Sequence, residues 1–190
     1  MKKREEEDVM NPFQTIATER LLIRKLELAD TAAFFAYRSL PEVYEYQTFR
    51  PVKISEAEGL IKKIPDYPNI PNTWFQLAVC RNEDGQLIGD VGLHFLEDYG
   101  QVEIGYTIAP NFQGLGYAHE GLIAVIDYLF IKLKKHRIIA SVDPNNIKSV
   151  VLLNKIGMRK EAHFVKSVWI DNRWVDDCVY AMLEEEWRRG

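Results

Sequence analysis

A strand, a glycine-containing turn and a long helix follow one another directly in the middle of this 190-residue chain. Gln101–Ile108 alternates apolar and polar side chains, which predicts a half-buried strand. The turn after it contains Gly114 and Gly116, and apolar residues recur at helical spacing over about Gly116–Lys134. A short strand is predicted next, at Ile138–Val142. Because such strand–helix–strand crossovers are right-handed and place the helix against the sheet, this unit constrains the fold more than any other segment.

The segments on either side predict further strands and helices, so the fold class is α+β, a mixed α/β domain. Strands are expected at Leu21–Lys25, Trp74–Cys80, Leu87–Phe95, Ala162–Ile170 and Trp174–Leu183. Helices are expected at Ala29–Leu40, Ser55–Ile64 and Asn146–Ile156. Asp30 is an expected helix cap, and Ser55 with Glu58 has the spacing of a capping box. Residues 1–12 are interpreted as a charged N-terminal tail and residues 13–190 as one domain.

The composition excludes several classes of protein. Hydrophobic residues make up 47% and charged residues 27% of the chain, as in a soluble globular protein. The formal net charge of -4 argues against broad nucleic-acid binding, which needs a concentrated basic surface. No apolar stretch approaches the roughly 20 residues of a membrane span, and no secretory signal is recognisable, so we expect a cytoplasmic protein. Cys80 and Cys178 are expected to be buried thiols, and no metal-ligand spacing is present.

The turn at residues 113–118 predicts an anion site. Glycines allow a tight turn, and the first turn of a helix presents unpaired N–H groups at the positive end of the helix dipole. A pyrophosphate is a natural occupant of such a site. The pattern is not a P-loop, since GxxxxGK[ST] is absent, and it is not the dinucleotide fingerprint, whose third glycine would fall at His119. A plain helix start explains the bare pattern equally well.

The residues in and around this turn resemble a known family. Gln113-x-x-Gly116-x-Ala118 is similar to the Q/R-x-x-G-x-G/A motif of the GNAT superfamily of acyl-CoA N-acyltransferases. Flanking blocks resemble the branch of the ribosomal-protein N-terminal alanine acetyltransferases. These blocks are Thr18–Arg24, Glu103–Tyr106, Gly116–Glu120, Asn146–Met158 and Trp174–Tyr180. The resemblance covers about residues 15–188 and implies a GNAT-like fold, a central twisted mixed sheet of about six or seven strands flanked by about four helices.

The resemblance also implies roles at the site. It implies acetyl-CoA as cosubstrate, no metal, the main chain of Ile108 binding the pantetheine arm, and Asn146 contacting the pantetheine or the reactive end. The pyrophosphate would be held by the amides of Gln113, Gly114, Leu115, Gly116, Tyr117 and Ala118. Ser149 matches a serine that protonates, or orients water near, the leaving thiolate; the third position of a helix capped by Asn146 is its alternative role. Many members have a tyrosine where this chain has Leu153, so a tyrosine acid is excluded there.

Glu103 is the candidate general base that deprotonates the amine, since it lies on the polar face of the strand that leads into the turn. A structural carboxylate paired with a neighbouring arginine or lysine is the alternative. Glu120, in the first turn of the long helix, is expected to complement the helix dipole. Tyr46, Phe49 and Trp74 are candidate acceptor-binding residues, and a local core explains them equally well.

The sequence and its resemblance therefore predict an acetyl-CoA-dependent N-acetyltransferase that moves the acetyl group directly to a primary amine in a ternary complex. The acceptor is either a protein N-terminus or a small amine. A non-catalytic acyl-CoA-binding sensor or regulatory module is the alternative, which Leu153 supports. The expected partners are acetyl-CoA and the acceptor, without nucleic acid or membrane, and a homodimer is compatible with the sequence.

Overall fold

Eight strands form one sheet in the part of the chain that the structure describes. A computed structural model describes residues 11–98 and 100–187, so most of the predicted charged tail lies outside the described residues. The strands are β1 (Ile16–Ala17), β2 (Leu21–Lys25), β3 (Thr73–Arg81), β4 (Leu87–Phe95), β5 (Gln101–Ile108), β6 (Arg137–Val142), β7 (Arg159–Ile170) and β8 (Arg173–Leu183). The α-helices are α1 (Thr31–Arg38), α2 (Pro41–Tyr44), α3 (Ile54–Ile61), α4 (Tyr117–Asp127), α5 (Ile147–Lys155) and α6 (Glu184–Trp187).

The strands lie in the order β1-β2-β3-β4-β5-β6-β8-β7. Neighbours are antiparallel except β5 and β6, which run parallel. The predicted α+β fold with a mixed sheet is confirmed, and the described residues add one strand and two helices to the predicted elements. The additional strand, β1, has two residues, and the additional helices, α2 and α6, have four each. Segments this short show no periodicity in the sequence.

Helices cover both faces of the sheet. Gly121 of α4 faces Leu21 and Ile23 of β2, and a Cβ atom at Gly121 would lie 3.5 Å from Cδ1 of Leu21. On the opposite face, the hydroxyl of Tyr37 in α1 donates a 2.6 Å hydrogen bond to Oδ1 of Asp90 in β4. The core includes the fully buried rings of Phe34, Phe75, Phe95 and Phe130. Burial of such a side chain contributes about 1.5–3 kcal/mol.

A buried polar network joins α1 to the sheet. Arg38 donates from Nε at 3.0 Å and from Nη2 at 2.5 Å to the carboxylate of Asp90, which is fully buried. Gln76 of β3 donates to the same carboxylate. Gln47 accepts from Arg38 and donates to Oγ1 of Thr107 at 2.9 Å. The network therefore fixes the segment after α2 onto β5.

The helix cap expected at Asp30 is not observed. Asp30 lies in a short 3₁₀ turn before α1, and its side chain makes no cap hydrogen bond to that helix. Its carboxylate accepts from the N–H of Glu27 at 2.9 Å and from Arg24 at 2.7 and 2.8 Å. Burial raises the pKa of Asp30, but these hydrogen bonds outweigh it and leave the pKa below its ordinary value. The bidentate ion pair with Arg24 of β2 therefore occupies the carboxylate oxygens that a side-chain cap of α1 would use.

The capping box expected from Ser55 and Glu58 is wrong. The helix α3 begins one residue before Ser55, so Ser55 lies inside its first turn. Glu56 makes the capping contacts, because its Oε2 accepts from the N–H of Val52 at 2.6 Å and from that of Lys53 at 3.1 Å. Glu58 forms an ion pair along the helix instead. Only Glu58 fits the Ser-x-x-Glu spacing, but the helix starts earlier than this spacing indicates, which places Glu56 at the third helical position.

The long helix predicted over residues 116–134 consists of two segments. The regular α-helix α4 ends at Asp127, and a wider π turn continues it over Tyr128–Lys132. The helix α5 ends before Gly157, which has a φ of 88° and is the predicted stop.

Candidate active site

A wedge opens in the middle of the sheet between β5 and β6. The two strands pair over three residues each, Gln101–Glu103 against Arg137–Ile139. Beyond these pairs β5 continues to Ile108 and β6 to Val142, and no ladder joins them within the described residues. Glu103 therefore stands at the closed end of the wedge. Towards the open end, main-chain groups on the facing edges lack a strand partner, which a ligand can supply.

The turn after β5 lies at the open end of the wedge and presents a row of main-chain N–H groups. Gly114 and Gly116 have φ of 75° and 85°, a region that other residues enter only at a cost. Gly116 caps α4, and the amide of Glu120 donates to the carbonyl of Gly116 at 3.1 Å. Within residues 11–98 and 100–187, the amides from Gly114 to His119 donate to no main-chain acceptor. Together with the helix dipole they form an anion site.

Arg20 and Glu120 fasten this turn to the start of the sheet. Nη1 of Arg20 donates to the carbonyl of Leu115 at 3.0 Å, and its guanidinium lies 4.6 Å from the ring centre of Tyr117. Glu120 pairs with the same arginine at 2.6 Å and accepts from the hydroxyl of Thr18 at 2.6 Å. Burial raises the pKa of Glu120, but these hydrogen bonds outweigh it and hold the pKa below its ordinary value. Glu120 therefore anchors the helix start in addition to its predicted place at the dipole.

Gln113 links the two sides of the open end. Its Nε2 donates to the carbonyl of Ile108 at 3.0 Å, and its Oε1 accepts from Nζ of Lys148 in α5 at 3.0 Å. The structure thus brings the predicted cofactor-binding residues Ile108 and Gln113 into contact. Sequence reasoning missed Lys148, because only the fold places the first turn of α5 beside this turn.

The N-terminus of α5 forms the other side of the open end. Asn146 caps the helix, because its Oδ1 accepts from the N–H of Ser149 at 3.3 Å. Ser149 therefore occupies the third helical position, the structural role that the sequence left open beside catalysis. Its carbonyl accepts a 3.4 Å hydrogen bond from the hydroxyl of Tyr106 on β5, and burial raises the pKa of Tyr106 to about 12. Tyr106 was missed because the sequence placed it only on the apolar face of its strand.

Glu103 belongs to a row of side chains on three adjacent strands. His94 lies opposite it on β4, with Nδ1 3.4 Å from Oε2 of Glu103. Trp74 lies opposite His94 on β3, and the two rings stack with centres 4.7 Å apart and planes 7° apart. Among the described residues the ion-pair partner of Glu103 is thus a histidine rather than the arginine or lysine considered from the sequence. His94 was missed because its pairing depends on the register between β4 and β5.

Open space adjoins this row on β5. A Cβ atom at Gly105, the next residue on the same face as Glu103, would meet no heavy atom within 4 Å beyond its chain neighbours. Opposite it, Gly92 is covered, since a Cβ atom there would lie 2.9 Å from Oε1 of Gln76 and 3.1 Å from the ring of Trp74. The gap beside Glu103 can therefore accommodate a ligand group.

An open cleft of about 540 Å³ borders the outer side of the wedge. Its lining includes the carboxylates of Glu45, Asp143 and Asp176 and the cations of Lys166 and Arg173. Tyr46 on one wall precedes Gln47, whose side chain is hydrogen-bonded to Thr107 of β5. Asp143 on another wall directly follows β6. The cleft thus lies where the ends of β5 and β6 diverge, between the segment after α2 and the β7–β8 hairpin.

The structure separates the three predicted acceptor-binding residues. Tyr46 lines the cleft. Phe49 packs into the core against Phe34, with ring centres 6.1 Å apart, so the alternative reading as a local core holds for this residue. Trp74 lies in the row with His94, away from the cleft lining. Trp174, which begins the last block of the family resemblance, is 56% exposed and lines the cleft.

The two cysteines take no visible part in this site. Cys80 and Cys178 are free, buried thiols, as predicted, and burial raises the pKa of Cys80. In residues 11–98 and 100–187, no group of three or more His, Cys, Asp or Glu side chains is placed to hold a metal ion. Over the same residues, no helix has the length and apolar character needed to cross a membrane.

The turn, the wedge and the flanking motifs agree with a family model. Residues 20–159 match the model described as an acetyltransferase (GNAT) domain. This chain belongs to the GNAT family. The resemblance inferred from Gln113-x-x-Gly116-x-Ala118 and its flanking blocks is thereby confirmed, and acetyl-CoA is the acetyl donor general to GNAT enzymes.

Individual relatives extend the match over most of this GNAT chain. The uncharacterized N-acetyltransferase YnaD of Bacillus subtilis (strain 168) is 36% identical over 172 residues, which are 90% of this chain and 98% of that protein. The ribosomal protein uS5-alanine N-acetyltransferase of Escherichia coli (strain K12) is 34% identical over 87 residues, 46% of this chain and 45% of that protein. The structure of spermidine N-acetyltransferase from Vibrio cholerae in complex with CoA and spermine is 27% identical, with a TM-score of 0.79, and covers 90% of this chain and 99% of that one.

Proposed function

We propose that this GNAT protein transfers the acetyl group of acetyl-CoA directly to a primary amine, within a ternary complex. The observation that carries the proposal is the wedge between β5 and β6, closed at Glu103 and bordered at its open end by the amides of residues 114–119. Glu103 and Ile108 are about 17 Å apart along β5, at about 3.3 Å per residue. An extended pantetheine arm can bridge such a span, so the thioester would reach Glu103 while the phosphates stay at the turn.

The residues at the open end suit the phosphates and the arm of acetyl-CoA. The pyrophosphate would accept hydrogen bonds from the amides of Gly114, Leu115, Gly116, Tyr117 and Ala118, whereas the amide of Gln113, also expected from the sequence, donates to the carbonyl of Pro110 at 3.2 Å. The free edge of β5 near Ile108 and the N-terminus of α5 at Asn146 would bind the amides of the arm. Lys148 adds positive charge beside the turn, which favours a phosphate, whereas the charge of Arg20 is compensated by Glu120.

Acetyl transfer needs a neutral amine, a polarised thioester and a proton for the leaving thiolate. Glu103 is the proposed base, directly or through water, because it lies at the closed end beside the gap at Gly105. Ser149 is the proposed group that protonates, or orients water near, the thiolate. Holding both reactants in one wedge supplies the proximity on which the rate depends. Burial of Cys80 and Cys178 supports direct transfer, since neither thiol is accessible for an acyl-enzyme.

The acceptor is proposed to be a small amine or a protein N-terminus, bound in the cleft beside Tyr46. Carboxylates in the lining suit an ammonium group. Asp176 already accepts from the N–H of Lys166 at 2.9 Å and lies 2.7 Å from Nε2 of His163. Asp143 accepts from Asn145 at 2.8 and 2.9 Å through Oδ1, so its Oδ2 is the more available oxygen for an ammonium group. Both acceptor classes occur among the relatives, as spermidine in Vibrio cholerae and as a ribosomal-protein alanine in Escherichia coli.

An acceptor panel tests the proposal. The purified protein is incubated with acetyl-CoA and, one at a time, spermidine, diamines, free amino acids and peptides with free N-termini, and the release of CoA is followed. Calorimetric titration with acetyl-CoA alone measures binding. We expect the protein to bind acetyl-CoA in the titration and to release CoA with one acceptor class in the panel. Binding without release for any amine would contradict the enzyme and favour a non-catalytic sensor, and absence of binding would contradict both.

A further inference from the structure

The row formed by Trp74, His94 and Glu103 connects the closed end of the wedge to solvent. The three residues lie opposite one another on β3, β4 and β5. The indole stacks on the imidazole at 4.7 Å, and the imidazole Nδ1 lies 3.4 Å from the Glu103 carboxylate. The side chains of His94 and Glu103 are 26% and 32% exposed, so water reaches both groups in the free protein, and a ligand group in the gap at Gly105 would cover the carboxylate.

The proposed reaction produces a proton that must leave Glu103 in each turnover. The acceptor enters as an ammonium ion and leaves as an amide, while the thioester becomes a thiol. One N–C bond forms, one C–S bond breaks, the thiolate takes one proton, and one proton remains over. A base that has taken this proton is inactive until it passes the proton on, and a neutral imidazole beside it can accept it.

We propose that His94 is a positioning residue that holds the Glu103 carboxylate and carries its proton to solvent. The inference rests on the proposed function, because it requires Glu103 as the base. In this step the carboxylic acid of Glu103 gives its proton to Nδ1 of His94, leaving a carboxylate and an imidazolium, and the imidazolium passes one proton to water. Trp74 fixes the plane of the imidazole by stacking on it.

The charged groups on the neighbouring strands are occupied elsewhere. On β4, Asp90 is paired with Arg38 at 2.5 Å. On β6, Arg137 is paired with Glu161. The β3 strand contributes the neutral side chains of Trp74 and Gln76 to this face. In the described part of the chain, the imidazole Nδ1 and the carboxylate of Glu103 therefore face each other as hydrogen-bonding partners.

The substitution His94→Gln tests the proposal, because glutamine can hydrogen bond to Glu103 but cannot carry a proton. We expect kcat to fall about tenfold or more, with the KM for acetyl-CoA unchanged within about twofold. In His94→Ala, where the missing ring leaves space for it, added imidazole should restore kcat in proportion to its concentration. His136→Gln, at an exposed histidine outside the row, is the matched control and should retain wild-type kinetics.

A second pair of variants separates stacking from folding. Trp74→Phe keeps a ring against His94 and should retain most of kcat, whereas Trp74→Ala should lower it, and thermal unfolding checks that each variant is folded. The proposal is overturned if His94→Gln keeps the wild-type kcat, or if kcat is lost in His94→Gln and added imidazole does not restore it in His94→Ala. If either outcome is found while the wild-type protein releases CoA with an amine and Glu103→Gln lowers kcat, the proposed function stands and only the role of His94 fails. A wild-type protein that releases no CoA would overturn both.

Discussion

The guanidinium of Arg38 lies against the fully buried carboxylate of Asp90, with Nη2 2.5 Å from Oδ2. Tyr37 and Gln76 donate to the same carboxylate, so its charge is compensated from α1 and from β3. Through Gln47 the network extends to β5. It therefore couples the N-terminal helices to the strand that carries Glu103.

Removal of the Asp90 carboxylate should destabilise the fold strongly. In Asp90→Ala the guanidinium of Arg38 would stay buried without its partner, which costs about 3–5 kcal/mol in the free energy of unfolding. Tyr37→Phe removes one hydrogen bond to the same carboxylate and should cost about 1–2 kcal/mol. Urea unfolding followed by circular dichroism measures both. A loss in Asp90→Ala no larger than that in Tyr37→Phe would contradict the assigned importance of the ion pair.

Replacement of Glu103 by glutamine should lower kcat about 100-fold, the usual contribution of a positioned base. The dissociation constant for acetyl-CoA should not change, because Glu103 lies at the opposite end of β5 from the turn. Steady-state kinetics and calorimetric titration measure the two quantities. Glu58→Gln on α3, outside the site, is the control. If kcat is the same in Glu103→Gln and in the control, Glu103 is not the base.

Two glycine substitutions with similar strain should differ in cofactor binding. Gly116 and Gly85 have φ of 85° and 71°, so alanine at either position should cost about 1 kcal/mol of stability. Only Gly116 lies at the start of α4, where an added Cβ atom would lie 3.2 Å from Nη2 of Arg20. We expect Gly116→Ala to weaken acetyl-CoA binding about tenfold, a loss of about 1.4 kcal/mol, and Gly85→Ala to leave it unchanged. Equal dissociation constants would place the phosphates elsewhere.

Ser149→Ala distinguishes the two roles of this serine. The amide of Ser149, and not its hydroxyl, donates to the cap residue Asn146, so stability should change by less than about 0.5 kcal/mol. We expect kcat to fall about tenfold with acetyl-CoA binding unchanged if the hydroxyl serves the leaving thiolate, as we propose. Asn146→Ala removes the cap and should cost about 1 kcal/mol. A wild-type kcat in Ser149→Ala would leave the serine with its helical position alone.

The stabilisation by Glu120 should depend on pH. Burial raises its pKa, but hydrogen bonds from Thr18 and Arg20 outweigh this and lower the pKa from the ordinary 4.5. A lowered pKa in the folded state gives stability that is present above pH 4.5 and is lost as the pH falls through the folded value. Glu120→Gln should therefore be less stable than wild type at neutral pH, and the difference should shrink below pH 4.5. Urea unfolding over a pH series measures it, and a constant difference would refute the linkage.

The features that could be predicted from the sequence are local ones. The strand β5 occupies the predicted residues, because its alternation of apolar and polar side chains over eight residues follows the pleat. The turn with Gly114 and Gly116 was predictable for the same reason, since a positive φ and a helix start are properties of a short segment. The contacts of Asp30 were not predictable, because its carboxylate pairs with Arg24 on the strand β2.

The candidate site was only partly predictable, because its geometry depends on pairing between distant segments. The wedge exists because β5 and β6 stop pairing after Glu103, and no residue pattern marks that point. His94 and Lys148 enter the site through register and through helix placement. Tyr46 and Phe49 are three residues apart and aromatic, yet only Phe49 belongs to the core, since the chain between them turns inward at Gln47.

The short pairing between β5 and β6 also has a consequence for local opening of the sheet. Three residue pairs form the only ladder that joins the half-sheet β1–β5 to the half-sheet β6–β8 among the described residues. A ligand lying between the diverging strands would act as a missing strand and bind the two halves to each other. The amide hydrogens of β5 and β6 that face the wedge near its open end should therefore exchange rapidly in the free protein and slow down together when acetyl-CoA binds.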